Sequence, residues 1–230
     1  MINLFKKIKR EINIFYKKDF PFRKQIKIRS VWMGNDDAGF FISPEFIDSQ
    51  SIVYSFGIGE DISFDEEIIR TFNCKVFGFD PTPKSIYWIQ NRKNPFAFTF
   101  YDFGIDDHDG FSTFYPPENS NFVSCSIAEN EKTKDKSFQV PMKKLSSIVK
   151  LLNHSKIDIL KLDIEGSEFK VIPELINSDI SVRQILIEFH HRFIKDGLME
   201  VAKIVKILNE DGFKIFAVSS TGQEISFIKP

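Results

Sequence analysis

Two stretches of this chain bring acids and imidazoles to positions where they could act together. Lys161-Leu162-Asp163-Ile164-Glu165-Gly166-Ser167-Glu168 is rich in carboxylates, and Ile187-Glu188-Phe189-His190-His191 adds another beside two histidines. Each continues an apolar run of the kind that forms a buried strand. If the two strands are neighbours, Asp163, Glu165, Glu188 and His190 or His191 converge at one rim of a sheet. Carboxylates with imidazole suit proton abstraction near neutral pH, or a divalent cation with oxygen and nitrogen ligands. Asp163, Glu188 and His190 are the expected ligands in the second case. Neighbouring side chains on a strand point to opposite faces, so His190 ranks above His191 as general base. Glu165 and Glu168 also fit the first turn of a helix, where an acid complements the dipole. His108 and His154 stand alone and read as surface or loop residues.

A second run, Ser55-Phe56-Gly57-Ile58-Gly59-Glu60-Asp61, has glycines where a strand gives way to a helix. Such glycines allow close backbone approach, and the helix start offers free N–H groups. The complete G-x-G-x-x-G is absent because Ile62 takes the third glycine position. Asp80 follows Gly57 by 23 residues, at the end of the next strand-like run. A carboxylate there accepts the hydroxyls of an adenosine ribose. Its alternative use is as a helix N-cap ahead of Pro81 and Pro83, but with the glycine turn the ribose reading leads. Nicotinamide dinucleotides and S-adenosylmethionine both contain that ribose, so Asp80 does not choose between them.

The elements that must position these groups alternate. Strands are expected over 51–56, 74–79, 96–101, 157–162 and 184–189, with helices over 65–72, 84–91, 143–152, 167–176 and 197–209. An additional strand is expected over 111–115, and 213–218 and 224–228 form a closing hairpin. Alternation of this kind implies a mostly parallel sheet with helices on both faces. Ligands then bind beyond the carboxyl ends of the strands, where strand order reverses. A terminal antiparallel hairpin on such a Rossmann-like sheet resembles the seven-stranded sheet of class I methyltransferases.

Four motifs make the resemblance specific. The runs 53–59, 77–83, 159–168 and 187–190 resemble, in order and spacing, the FkbM family of S-adenosylmethionine-dependent methyltransferases, and the K-x-D-x-E-G-x-E run is the most specific. Met33 to Phe40 is similar to a glycine-rich segment of one branch of that family. The resemblance implies methyl transfer to a hydroxyl of a sugar, glycan, glycolipid or related natural product. It implies that Gly57, Ile58 and Gly59 hold the methionine moiety, Asp80 the ribose, and Asp102-Phe103-Gly104 the adenine edge. Many members carry an acid where this chain has Ser55, which leaves the methionine amine to Glu60 or Asp61. By this reading His190 is the base, while Asp163 and Glu188 orient it and the acceptor or hold a cation. The acceptor pocket is expected from 34–46 and 119–137. A nicotinamide-dependent oxidoreductase and a non-catalytic binding protein of the same fold are the competing readings.

Composition narrows the class further. The 230 residues carry a formal charge of −1, but residues 1–30 hold ten basic and two acidic side chains, so the other 200 carry −9. An acidic body argues against nucleic acid as a partner. Leu4, Phe5, Ile8, Ile12, Phe15 and Tyr16 recur at helical spacing among lysines, which predicts a basic amphipathic helix stopped near Pro21 and ahead of a domain over 31–230. Packing on the domain with a solvated Lys face, or peripheral contact of residues 1–24 with anionic lipid or an acidic carrier, are its two uses. No apolar run reaches the roughly 18 to 20 residues of a membrane span. The isolated Cys74 and Cys125 exclude a disulfide or zinc scaffold, so a cytoplasmic protein, peripheral at most to a membrane, is expected. Phe, at 26 residues, is expected to fill the core.

Overall fold

The computed structural model describes residues 2–116 and 134–230. It opens with α1 (Ile2–Phe15), a short hairpin of β1 (Val31–Met33) and β2 (Phe40–Ile42), then β3 (Ile52–Phe56), α2 (Ser63–Phe72), β4 (Lys75–Phe79) and α3 (Pro83–Gln90). Four strands follow: β5 (Phe98–Tyr101), β6 (Gly104–Ile105), β7 (Gly110–Phe114) and β8 (Phe138–Lys143). The second half holds α4 (Leu145–Leu152), β9 (Lys156–Leu162), α5 (Glu168–Ile176), β10 (Ser181–Glu188), α6 (Gly197–Glu210), β11 (Lys214–Val218) and β12 (Glu224–Ile228).

Seven strands form one sheet in the order β11-β12-β10-β9-β3-β4-β5. β3, β4, β5, β9 and β10 are parallel, and β12 runs antiparallel to both β10 and β11. Strand order therefore reverses between β3 and β9, whose Phe56 and Leu162 lie side by side. The two are central because their residues are almost all buried, so neither face could be left to water. Alternation divides them between two layers: Tyr54, Phe56, Leu160 and Leu162 enter one core, Val53 and Ile159 the other. Phenylalanine serves this sheet: Phe56 stacks on Phe79 at 4.3 Å and Phe79 on Tyr101 at 5.3 Å, across three adjacent strands. Burying each such ring stabilises the fold by about 1.5–3 kcal/mol.

Three departures from the sequence reading have local causes. α1 ends at Phe15, well before Pro21, because Lys17 turns left-handed (φ 54°). Its N–H bonds Ile14 O at 3.0 Å and that of Lys18 bonds Asn13 O at 2.8 Å, the Schellman closure with lysine in the place glycine usually takes. α4 starts at Leu145 because Val140 and Met142 are the buried positions of β8, which runs on to Lys143 in a small sheet ordered β6-β8-β7. The β1–β2 hairpin was not expected. It carries the segment 34–39 against the start of α2, where Gly34 N–H donates to Glu67 Oε2 at 2.7 Å.

Among the described residues no helix is long and apolar enough to cross a membrane. Of the segment 119–137 expected to help form the acceptor pocket, residues 119–133, with Cys125, lie outside the described residues.

Candidate active site

The glycine turn after β3 is built by contacts across the strand reversal. Gly57 has φ +74°, and a Cβ placed on it would lie 1.6 Å from Asp163 O, so no other residue fits without moving β9. Its N–H donates to Phe79 O at 3.0 Å. Its carbonyl accepts a hydrogen bond from Lys161 Nζ at 3.2 Å, and that ammonium stands 4.0 Å from Asp163 Oδ2 and 5.4 Å over the Phe40 ring. Gly59 donates its N–H to Asp80 Oδ2 at 2.9 Å, while its carbonyl accepts from Ser85 Oγ at 2.6 Å.

Asp80 fills the capping role its position suggested and also faces the glycine turn. Oδ1 accepts from Thr82 N–H at 2.9 Å and Thr82 Oγ1 at 2.6 Å, which caps the approach to α3. Oδ2 accepts from Gly59 N–H at 2.9 Å, and the Ser85 hydroxyl also favours the carboxylate. Burial pushes the carboxyl of Asp80 up, against the pull of the Thr82 and Gly59 bonds.

Beside this turn lies a cavity of about 380 Å³. Gly57, Ile58, Gly59, Glu60, Asp61, Asp80 and Gly104 line it, as do Lys161, Asp163 and Glu165. Asp37 and Ala38, from the segment expected to touch an acceptor, line it too. Asp102 and Phe103 do not: Asp102 is exposed, and Phe103 turns inward onto Phe79 and Tyr101 at 5.5 Å each. Glu60 pairs with Lys84 at 3.1 Å, and Asp61 accepts from Ser63 N–H at 2.7 Å and from the Asn35 amide.

At the carboxyl end of β9 and β10 the acids gather around one imidazole. His190 Nε2 lies 3.6 Å from Asp163 Oδ1, 3.5 Å from Glu165 Oε2 and 3.9 Å from Glu188 Oε1, and Nδ1 lies 3.5 Å from Glu168 Oε1. Burial opposes charge on His190, but Glu168, Asp163 and Glu165 prevail and push its pKa up to about 10. Burial, with Asp163 close by, pushes Glu188 up to about 8. His191 points elsewhere, to Asp19 Oδ1 at 3.4 Å. His108 pairs with Asp107 at 3.0 Å, and His154 meets the Tyr54 hydroxyl at 2.7 Å. At this edge Asp163, Glu165 and His190 bring ligand atoms within 4.8 Å of one another, as a metal would need, with Glu188 outside the set; Asp106, Asp107 and His108 form a second such group among the described residues.

These two raised values have a definite sign. Both groups hold a proton more tightly folded than unfolded: His190 from 6.5 to about 10, Glu188 from 4.5 to about 8. The stability they contribute is complete below the unfolded values and is lost as pH climbs through the folded ones. The expected melting temperature falls between about pH 4.5, where Glu188 begins to contribute less, and about pH 10, and the part of the fall above pH 6.5 is smaller in His190→Gln. A flat profile across that interval would contradict the assignment.

Two residues of the site escape sequence reasoning. Lys161 looks like an interruption of a buried strand, yet it fixes the Gly57 carbonyl. Glu168 reads as a helix-start acid, but its Oε1 accepts His190 N–H at 2.7 Å and its Oε2 accepts Gly166 N–H at 2.9 Å, tying β10 to the loop after β9. The one available signal was their place in the 161–168 motif. In that loop Glu165 itself is left-handed, φ 49°.

With this geometry set out, comparison with known proteins decides the lineage. The sequence profile of the methyltransferase FkbM domain matches residues 52–215, from β3 into β11. The chain belongs to the FkbM methyltransferase family. The match spans the glycine turn, Asp80 and the whole acid cluster of this FkbM domain. Two relatives, each described as probable methyltransferase-like protein 24, are 27% identical to it: the human one over 67% of this chain and 36% of its own length, the rat one over 69% and 38%. This FkbM chain thus spans little over a third of those relatives. A crystal structure of methyltransferase FkbM from Methylobacillus flagellatus KT aligns with TM-score 0.46 and 16% identity, covering 79% of this chain and 44% of that one.

Proposed function

We propose that this chain transfers a methyl group from S-adenosylmethionine to a hydroxyl oxygen of a sugar, glycan, glycolipid or related natural product. The observation that supports this most is one cavity lined both by the glycine turn with Asp80 and by the carboxylates Asp163 and Glu165. The residues present suit the cofactor. Asp80 lines the cavity with a carboxylate suited to a ribose hydroxyl, and Phe79, Pro81 and Ile105 offer apolar lining to a purine. Glu60, Asp61, Asp163 and Glu165 give the cavity the negative charge that a sulfonium and an ammonium require.

When bound, S-adenosylmethionine supplies an electrophilic methyl group that needs no further activation. The protein has then to align an acceptor oxygen, exclude water and take a proton. We assign the proton to Glu188. An imidazole with a pKa of about 10 is already protonated at neutral pH, whereas a carboxyl near 8 titrates close to working pH, where a base is most effective. His190, the base expected from sequence, becomes the cation that holds Asp163, Glu165 and Glu188 together. Neither Glu188 nor His190 lines the cavity; Asp163 and Glu165, which do, connect it to the cluster, with His190 Nε2 3.6 and 3.5 Å from them. A divalent cation on Asp163, Glu165 and His190 would polarise the acceptor oxygen; in our reading the imidazolium supplies that positive charge.

Calorimetry tests the cofactor assignment. S-adenosylhomocysteine should bind, and Asp80→Ala should weaken it by about 10- to 100-fold, the loss expected for a charge-assisted bond of about 1.5–3 kcal/mol. Wild-type protein that ignores it while quenching NADH fluorescence would favour the oxidoreductase reading. Binding without product from any acceptor would favour a non-catalytic one.

A further inference from the structure

We propose that α1 is a membrane-surface anchor, laying its apolar row on an anionic bilayer while its polar side holds the domain. An amphipathic helix that belongs to its own domain's core turns its apolar side inward; α1 does the reverse. Phe5 (79% exposed), Ile8 (50%), Ile12 (51%), Phe15 (81%) and Tyr16 (67%) all face outward. With about 100° of turn per residue they form one continuous side.

The opposite side carries the contacts. Arg10 Nη2 donates to Phe22 O at 2.9 Å, and Asn13 Nδ2 donates to Asp19 Oδ2 at 2.8 Å. Arg10 also lies against the turn between β11 and β12, so close that a Cβ on Gly222 would come 2.6 Å from its Nε. Asp19 in turn is gripped by Arg192 at 2.5 Å, and Phe22 stacks on Phe189 at 5.4 Å. These anchors stand just beyond the end of β10 and in the β11–β12 turn, at the same edge of the sheet as His190.

Charge selects the occupant of the apolar side. Lys7, Lys9, Lys17, Lys18, Arg23 and Lys24 are exposed around it against one exposed acid, Glu11, while Asp19 is buried and paired. A second copy would set this cationic segment against itself. An anionic lipid surface supplies both the opposite charge and the apolar depth that such a helix takes up, and the domain hangs on its water side. The carboxyl edge of the sheet is thereby brought near the interface. That hydroxylated lipids or lipid-linked glycans reach the site from the bilayer rests on the methyl-transfer reading; the binding of α1 does not.

Vesicle flotation of the full chain tests this. Vesicles of phosphatidylcholine mixed with phosphatidylglycerol should bind it and pure phosphatidylcholine should not. Phe5→Ser/Ile12→Ser/Phe15→Ser should lower partitioning by more than about tenfold, since affinity follows buried apolar area. Its melting temperature and S-adenosylhomocysteine binding should be unchanged, so failure of the anchor and failure of the proposed activity read out separately. Absence of binding to the anionic vesicles, equal binding by the triple variant, or an apolar row consumed in a dimer by sedimentation would each overturn the proposal.

Discussion

Gly57→Ala is expected to melt far below the wild-type protein and to lose S-adenosylhomocysteine binding altogether. The added methyl would sit 1.6 Å from Asp163 O and 2.7 Å from its carbonyl carbon, inside bonding distance of backbone rather than against a movable side chain. The left-handed conformation alone costs an alanine about 1–2 kcal/mol. Retreat is blocked because Asp163 N–H donates to Phe56 O at 3.2 Å and Gly57 N–H to Phe79 O at 3.0 Å. The total therefore exceeds about 4 kcal/mol. At roughly 2–4 °C per kcal/mol for a chain of this size, that is a fall of roughly 8–16 °C. Gly212→Ala is the control: φ is +96° there, but the nearest atom, Lys229 Cε, is an ordinary 3.5 Å away. Equal melting of the two variants would show that the approach of β3 to β9 is looser than described.

Glu188→Gln is expected to lower turnover by about 10²- to 10⁴-fold, the range general-base catalysis contributes, with little change in cofactor affinity. In the wild type, turnover should rise with pH as Glu188 loses its proton near pH 8, because only the carboxylate accepts one from the acceptor hydroxyl. The variant should lose that limb. Were His190 the base instead, the rise would come near pH 10 and would survive in Glu188→Gln. His190→Gln, in contrast, should slow turnover through disorder of the acids it joins and should shift the limb without abolishing it.

The main sheet was legible because its strands are apolar runs closed by glycine, proline or acids at intervals that leave room for helices. Strand-end motifs then fell together at the carboxyl edge of the sheet, as their spacing implied. Other features were illegible for physical reasons. Three-residue strands such as β1 and β2 are too short to show a period, and Pro141 argues against reading β8 as a strand. The direction in which Phe103 turns depends on Phe79 and Tyr101, from strands placed beside it only by the fold. The upward shift of His190 arises from Glu168, Asp163 and Glu165, and sequence gives their number but not their distances. The arm's pattern was visible, but which side of it faces the domain depends on Phe22 and the Gly222 turn.

The strand reversal that brings Lys161 to the Gly57 carbonyl spans 104 residues of chain. Closing such a span costs about 4 kcal/mol of chain entropy, returned only when β9 docks. During synthesis at roughly 5–20 residues per second, the glycine turn waits on the order of 5–20 seconds for that partner. Over that interval β3 can pair with β4, but its other edge is open, with Val53 and Tyr54 on a strand that offers unpaired backbone groups to any passing chain. The same reversal that builds the cavity thus leaves one edge of β3 open until β9 emerges, and a chain released before Leu162 has neither the cavity nor a closed sheet.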